Sequence, residues 1–284
     1  FPVLIKSDGF GKGGMLYGFG GDSTLDKIGN RGKITRNPVI LIHGNGVHAE
    51  DEEYGWIYWR KYLKEAGYHD SEIWAVSYLG KPYVAQLKNP VRTNINDVRK
   101  FIDSVIEYLG VKRVDIIGHS LGCNLIRSYL RGLEGTTKEV KFNPVLERFD
   151  KIGSIVLIAG GNYGMGKSSL SPEFKTGGEL MNALNTYNGI WDPSPKGQMS
   201  LDKMVSDERW KKTTGTDDNT LTYVAIISEN DTCDLLQKDT SGLEGADFCR
   251  SYHSGKRGLK AHKWIIQSEE VFNDCFKYLN IKKD

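Results

Sequence analysis

The sequence predicts an α/β fold, in which a mostly parallel sheet is flanked by helices. Strand-like apolar runs recur along the chain, at residues 39–43, 72–77, 114–118, 155–160 and 221–228. Segments with helical periodicity lie between several of these runs. This alternation is typical of parallel strands that are joined by crossover helices.

The predicted helices have an apolar face and recognisable ends. Residues 52–66 and 94–109 have apolar side chains at spacings of three and four, and each segment stops at a glycine, as helices often do. Residues 121–130 form an apolar helical stretch. Near the end of the chain, Ser268 can cap a further helix, whose first turn carries two acids that suit its positive N-terminus.

Composition and charge narrow the class of protein. The 284 residues carry 38 Lys and Arg against 36 Asp and Glu, a formal net charge of +2, so nothing favours nucleic acid as a partner. The hydrophobic content of 39% can supply a core, and no apolar run is long enough for a membrane-spanning helix. We expect one monomeric domain over residues 1–284, without a transmembrane segment.

The span 161–220 interrupts the alternation of strands and helices. It contains three prolines, several glycines and large aromatic residues, and such a long excursion between two strands is often a functional lid or cap. Among its aromatics, Tyr163, Tyr187 and Trp191 are candidates for an apolar surface that contacts the substrate. The alternative is a surface subdomain that packs its aromatics inward.

The pentapeptide from Gly118 to Gly122 matches the pattern G-x-S-x-G, with Ser120 at its centre. It follows a predicted strand directly and precedes an apolar helix, which is the strand-turn-helix setting that this motif requires. The serine sits on a tight, strained turn, where side chains at the two glycine positions would collide with neighbouring backbone. Ser120 is therefore the predicted nucleophile.

A serine hydroxyl is a poor nucleophile at neutral pH, so it needs a histidine as general base and an acid that orients this histidine. Asp231 comes just after the last predicted strand, where the acid is expected, and Asp234 is its competitor. His262 is predicted to lie in a loop before the last helix, the usual place of the base, with His253 as the alternative. We interpret His119 as a packing residue, because consecutive side chains at such a turn point apart.

Residues 43–46, with the sequence His-Gly-Asn-Gly, follow the first predicted strand. The backbone N–H groups of Asn45 and Leu121 are the candidates for an oxyanion hole, since two fixed donors there would stabilise the negative charge of a tetrahedral intermediate. A plain glycine-rich turn is the alternative for this segment.

A competing motif occupies residues 161–168, which match the phosphate-loop pattern G-x-x-x-x-G-K-[ST] after a predicted strand. A phosphate loop must open a helix whose N-terminus faces the phosphates. Pro172 and the glycine pair at 177–178 interrupt any helix here. Nucleotide binding is therefore disfavoured, and no cofactor is expected.

The four cysteines are too few for a disulfide scaffold, and none has the spacing of a zinc site, so no structural metal is expected. The chain begins with Phe1 instead of Met, which we interpret as favouring a mature, exported protein. For an exported protein we predict a disulfide between Cys233 and Cys249, near the predicted acid. Cys123 and Cys275 are expected to be free and packed.

Residues 38–46 and 114–122, together with the glycine-rich residues 18–21, resemble bacterial secreted lipases. They are most similar to the family of lipase-like extracellular poly(3-hydroxybutyrate) depolymerases, which act on amorphous polymer without a separate binding domain. The resemblance implies an α/β-hydrolase fold, and it implies the triad and the oxyanion hole at the residues named above. It also implies secretion and the absence of a cofactor.

These observations predict a serine ester hydrolase that acts through an acyl-enzyme, with a polyester or a lipid-like ester as its substrate. The resemblance specifies poly(3-hydroxybutyrate), cut to short hydroxy-acid oligomers. A triacylglycerol lipase or a carboxylesterase is the alternative within this reaction class. A non-catalytic binding protein with the same fold is a further alternative, which the order of serine, acid and histidine disfavours.

Overall fold

The structure, a computed structural model, describes residues 18–21, 34–78, 90–135, 140–142, 148, 151–166, 172–187, 190–191, 221–243 and 246–279. The described strands are β1 (Phe19–Gly20), β2 (Val39–Ile42), β3 (Ile73–Val76), β4 (Val114–His119), β5 (Leu133–Gly135), β6 (Val140–Phe142), β7 (Ile152–Ile158), β8 (Thr186–Tyr187), β9 (Ile190–Trp191), β10 (Thr222–Ser228) and β11 (Phe248–Tyr252). The described α-helices are α1 (Ile57–Glu65), α2 (Pro90–Leu109), α3 (Leu121–Leu130), α4 (Glu179–Asn185), α5 (Thr232–Leu236), α6 (Leu259–Gln267) and α7 (Glu269–Phe276).

Seven of the described strands form one sheet, in the order β1-β3-β2-β4-β7-β10-β11. Neighbouring strands run parallel, except that β1 lies antiparallel to β3 at one edge. The C-terminal ends of β2, β3, β4 and β10 therefore lie at the same end of the sheet. In open sheets of this kind, ligands bind outside the carboxyl ends of the strands.

Helices cover both faces of this sheet. On one face, α2 and α3 pack against residues such as Ile40, and on the other face α1, α6 and α7 pack against residues such as Leu41. Successive side chains of a strand point to opposite faces, so that β2, β4 and β7 are buried along their whole length. Such strands produce continuous apolar runs in a sequence, because both faces are covered.

The five predicted strands correspond to β2, β3, β4, β7 and β10, which confirms the α/β prediction. The sequence pattern did not predict strand β11. Its middle residues, Cys249 to Ser251, are exposed at the edge of the sheet, so the strand has no apolar run by which it could be recognised.

Helix α1 begins at Ile57 instead of residue 52. The Asp51 carboxylate accepts hydrogen bonds from the N–H groups of Glu53 and Tyr54, at 2.9 and 2.7 Å, and the N–H of Gly55 donates to the Asp51 carbonyl. Local bonds of this type compete with a helix and stabilise turns instead. The apolar periodicity of the segment is therefore real, but its first turn is not helical.

The predicted insertion at 161–220 lies only partly within the described residues, which cover 161–166, 172–187 and 190–191. This part contains α4 and a short hairpin of β8 and β9. The interpretation of the span as a lid stays a prediction. Among the helices that the structure describes, none has the length and apolar character needed to cross a bilayer.

Candidate active site

Ser120 stands on the turn between β4 and α3, with a φ of 53° and a ψ of −121°. This is a strained conformation for a residue with a side chain. Backbone approaches both flanking glycines closely: a Cβ at Gly122 would lie 2.2 Å from the carbonyl oxygen of Ile42, and one at Gly118 would lie 2.9 Å from the carbonyl carbon of Gly122. The structure thus confirms the predicted strand-turn-helix geometry around Ser120.

Asp231 and His262 form a buried hydrogen-bonded pair. The Oδ2 atom of Asp231 lies 2.7 Å from Nδ1 of His262, and the Asp231 side chain is fully buried. The other carboxylate oxygen, Oδ1, accepts the N–H of Asp234 at 2.9 Å. With both oxygens engaged, the carboxylate holds the imidazole in one orientation and favours the tautomer that carries its proton on Nδ1.

The position of His262 on a helix corrects the prediction that it lies in a loop. His262 belongs to the first turn of α6, and its N–H donates to the carbonyl of Gly258. Gly258 has a φ of +62° and forms an isolated bridge with Asp231, so this glycine both starts the helix and anchors it beside the acid. The helix therefore presents His262 towards the end of β10.

The two competitors have other partners. Asp234 accepts the N–H groups of Asn230 and Asp239, at 2.9 and 3.1 Å, and so stabilises the turn around Asp231. His253 is exposed and pairs with Glu229 on the surface. Neither residue lines the cavity that contains Ser120.

A cavity of about 550 Å³ opens over the ends of the central strands. Its wall consists of Gly44, Asn45, Val47, Tyr54, His119, Ser120, Leu121, Asn124, Gly161, Met165, Phe174, Thr232, Cys233, Leu259 and His262. It therefore brings together the predicted nucleophile, the predicted base and both predicted oxyanion residues. Its size is that of a typical small-molecule site.

The predicted oxyanion residues come from two different loops. Asn45 follows β2, and Leu121 is the first residue of α3, where backbone N–H groups have no acceptor within the helix. The two loops approach closely, since a Cβ at Gly44 would lie 3.1 Å from Cβ of Ser120. Glycine at position 44 lets the Asn45 backbone come beside the nucleophile.

Two further buried histidines lie near the site, and one of them, His119, lines the cavity. His119 packs its ring 4.4 Å from that of His262, and its Nε2 lies 3.1 Å from the His262 carbonyl oxygen. The His43 ring stacks on Tyr78, whose hydroxyl donates to the His43 carbonyl. Burial lowers the pKa of His119 well below its usual value and lowers the pKa of His43 to about 4, so both rings are neutral at pH 7.

Of the three aromatic residues proposed as substrate contacts, only Tyr163 has a described side chain. Tyr163 is 5% exposed, belongs to the hydrophobic core and does not line the cavity that contains Ser120. The side chains of Tyr187 and Trp191 lie outside the described residues. The described apolar wall contains residues from segments distant along the chain, none of which the sequence predicted as a substrate contact: Val47, Tyr54, Met165, Phe174 and Leu259.

The predicted disulfide is absent, since Cys233 and Cys249 are both free. Cys233 is buried beside Asp231 and His262, whereas Cys249 is exposed on the edge strand β11. The two side chains therefore lie in different surroundings, one in the interior and the other at the surface. Cys123 and Cys275 are free and buried, as predicted.

Residues 161–166 do not form a phosphate cradle. The N–H groups of Gly164, Met165 and Gly166 donate to oxygens of the protein itself, those of Gly161, Phe174, Thr176 and Gln237. A phosphate loop needs such N–H groups free to face its ligand.

Comparisons with known proteins bear on the family and the fold of the chain. The sequence matches the family described as Lipase (class 2) over residues 36–253. A lipase from Bacillus licheniformis, in its mature form, is 12% identical with a TM-score of 0.54, over 93% of this chain and 98% of that one. This structural likeness agrees with the predicted α/β-hydrolase fold.

Two further solved structures are similar to this chain. A carboxylesterase structure from the thaumarchaeon Nitrososphaera gargenis is 15% identical, with a TM-score of 0.47 over 87% of this chain and 91% of that one. Lipase B of Aspergillus fumigatus is 14% identical, with a TM-score of 0.49 over 89% of this chain and 55% of that one.

Proposed function

The chain belongs to the class 2 lipase family, and on this premise we propose that it hydrolyses esters of apolar acids with Ser120, His262 and Asp231 as its catalytic triad. An ester hydrolase of the lipase or carboxylesterase type is the activity that the family match shows. One observation carries the residue assignment. Asp231 forms a buried hydrogen bond with His262, and His262 lines the same cavity as the strained Ser120.

In the proposed mechanism, Ser120 Oγ attacks the ester carbonyl carbon while His262 Nε2 takes the serine proton. His262 then gives this proton to the leaving alcohol, and an acyl-enzyme remains. Water attacks the acyl-enzyme with the same help from His262, which releases the acid and restores the serine. Asp231 keeps the Nδ1 proton of His262 in place and stabilises the imidazolium that forms.

The backbone N–H groups of Asn45 and Leu121 would stabilise the negative oxygen of the tetrahedral intermediate. Each such donor contributes on the order of 10²–10³ in kcat.

The surroundings of the cavity favour an apolar, poorly soluble ester. The exposed large apolar side chains of the described chain are Ile57, Tyr58, Leu235, Leu236 and Leu259. Leu259 lines the cavity, the two other leucines share helix α5 with cavity residues, and the α1 pair follows cavity residue Tyr54. Exposed apolar groups around a site indicate that it binds apolar substrates or surfaces.

Triacylglycerols or simple carboxylic esters fit this family better than poly(3-hydroxybutyrate) does. The polymer was predicted from the resemblance of short motifs, and no described cavity residue is specific to a 3-hydroxybutyrate unit. The polymer therefore remains a substrate to be tested. Secretion likewise stays a prediction.

The test compares the protein with Ser120→Ala on p-nitrophenyl esters of increasing chain length, on emulsified triacylglycerol and on amorphous poly(3-hydroxybutyrate). We expect ester and triacylglycerol hydrolysis, with kcat lowered about 10⁴-fold or more in Ser120→Ala. Ser251→Ala is the matched control, since this exposed serine of β11 donates its hydroxyl to Glu229 and does not line the cavity.

The outcomes separate the alternatives. Equal hydrolysis by the parent and by Ser120→Ala would reject the proposed nucleophile. Release of hydroxy-acid oligomers from the polymer, at a rate comparable with the other substrates, would establish the depolymerase instead. Absence of all hydrolysis, with a Ser120 that no organophosphonate labels, would favour the non-catalytic alternative.

A further inference from the structure

A thiol that the proposed mechanism does not use lies beside the catalytic pair. Cys233 follows Asp231 by two residues, is 5% exposed and lines the cavity. Its Sγ, a carboxylate oxygen of Asp231 and a ring nitrogen of His262 all lie within 4.8 Å of one another. Three side chains of different chemistry thus converge on one point at the cavity wall.

These three groups are a ligand set that zinc uses. Zn²⁺ binds thiolate at about 2.3 Å, and imidazole nitrogen and carboxylate oxygen at about 2.0–2.2 Å, in tetrahedral geometry. Those bond lengths place the ligand atoms roughly 3.3–3.7 Å apart. The observed upper limit of 4.8 Å therefore requires shifts of only about 1 Å, within reach of side-chain rotation.

The charge balance suits a buried site. A divalent cation, one thiolate, one carboxylate and a neutral imidazole sum to zero, so the assembled cluster avoids the cost of an unpaired buried charge. The thiol proton is released to solvent when the metal binds. Both Cys233 and His262 face the cavity, which gives a cation a route in and leaves room for water as a fourth ligand.

We propose that Asp231, Cys233 and His262 form an inhibitory site for a thiophilic divalent cation such as Zn²⁺. Binding through Nδ1 would replace the Asp231–His262 hydrogen bond and move the imidazole proton to Nε2. An Nε2 that carries a proton cannot accept one from Ser120, so hydrolysis stops. The inhibition rests on the proposed function, whereas the binding of the cation does not.

The binding test uses Co²⁺ as a spectroscopic substitute for Zn²⁺ and Ser120→Ala as the parent protein, so that the readout is independent of hydrolysis. We expect a near-ultraviolet thiolate-to-Co²⁺ charge-transfer band that saturates at one equivalent. Adding Cys233→Ser should abolish the band, and adding Cys249→Ser, which changes the exposed cysteine of β11, should leave it unchanged. Persistence of the band in Cys233→Ser would overturn the site.

The inhibition test titrates Zn²⁺ against ester hydrolysis by the wild type, Cys233→Ser and Cys249→Ser, each normalised to its own metal-free rate. We expect Cys233→Ser to need at least tenfold more Zn²⁺ for half-inhibition, with EDTA restoring activity in every case. Equal half-inhibition of all three proteins would refute the proposal. Cys233→Ala, checked for folding by thermal unfolding, serves where the serine variant does not fold.

The two tests distinguish a failure of the proposed function from a failure of the metal site. If the protein hydrolyses no ester, the proposed function fails while the Co²⁺ titration still decides whether the cation binds. If hydrolysis is normal but the charge-transfer band is absent, the metal site alone is rejected.

Discussion

At the scale of single residues, the site depends on one buried hydrogen bond with a second bond behind it. Asp231 gives one oxygen to His262 and the other to the Asp234 backbone. The carboxylate therefore cannot rotate without losing a bond, and this fixes the direction of the imidazole. Asp234 has the same carboxylate side chain but stabilises the turn around Asp231 instead of contacting His262. Substitutions at Asp231 and Asp234 therefore form a matched comparison.

Asp231→Asn should lower kcat about 10⁴-fold, because an amide N–H facing Nδ1 favours the wrong histidine tautomer. Asp234→Asn should keep kcat within about threefold and lose about 1 kcal/mol of unfolding free energy, since only one of two accepted backbone bonds remains. Steady-state kinetics and urea unfolding measure the two effects. Similar kcat values for both variants would reject Asp231 as the orienting acid.

Buried neutral histidines make the stability of the protein dependent on pH. Desolvation lowers the pKa of His43 to about 4 in the folded state, against 6.5 for an ordinary histidine. Between these values the unfolded chain binds a proton that the folded protein does not bind. Stability is therefore fully present above pH 6.5 and is lost as the pH falls towards 4.

Urea unfolding at pH 7 and pH 4.5 should show this loss. His43 alone accounts for about 2 kcal/mol of it, from the difference of the two pKa values. In His43→Asn, which has no titrating ring, the loss between the two pH values should be smaller by that amount. An unchanged pH dependence in the variant would place the acid sensitivity elsewhere.

At the scale of elements, the end of β3 supports the loop after β2. Tyr78 follows β3, stacks its ring on His43 at 4.0 Å and donates its hydroxyl proton to the His43 carbonyl. Ser77 accepts the N–H of Ala49 at 2.9 Å. Both contacts fix the loop that carries Asn45, so the oxyanion geometry depends on a neighbouring strand.

Tyr78→Phe should lower kcat about tenfold with little change in KM, because the ring remains while the bond that holds the oxyanion loop is lost. Tyr62→Phe is the control, since the Tyr62 hydroxyl also donates to a carbonyl, that of Gln267 at 2.9 Å, but does not line the cavity. Kinetics with a short p-nitrophenyl ester measure both. Equal effects in the two variants would mean that the Tyr78 hydroxyl acts only on stability.

At the scale of the whole molecule, Arg127 joins the nucleophile helix to the inserted span. Its guanidinium is fully buried and donates to the carbonyls of Asn162 and Leu184 and to Oδ1 of Asn185, at 2.6, 3.1 and 2.7 Å. Burial lowers the pKa of this guanidinium. One side chain of α3 thus binds residues 162, 184 and 185 of the inserted span.

Arg127→Met should destabilise the protein by about 3 kcal/mol, because it leaves buried oxygens without donors. Arg99→Met on the neighbouring helix should cost less than about 1 kcal/mol, since Arg99 forms a partly exposed ion pair with Glu134. Urea unfolding midpoints give both values. A loss in Arg127→Met no larger than in Arg99→Met would show that the hydrogen bonds of Arg127 contribute little to stability.

The sequence by itself determined the alternating architecture and the tight turn around Ser120, and it predicted Asp231 rather than Asp234, and His262 rather than His253, as the partners of this serine. These features depend on local patterns: apolar runs, glycines at sterically crowded positions, and the distance of a residue from the end of a strand. The positions of Asn45 and Leu121 follow in the same way, because each directly follows a strand or begins a helix.

Only the tertiary structure decided what depends on contacts between distant segments. It placed His262 on a helix started by Gly258, buried Tyr163 in the core, separated Cys233 from Cys249 and assembled the cavity wall from several loops. Parallel strands bring their C-terminal ends together whatever the spacing along the chain, so no local pattern records which loops meet there.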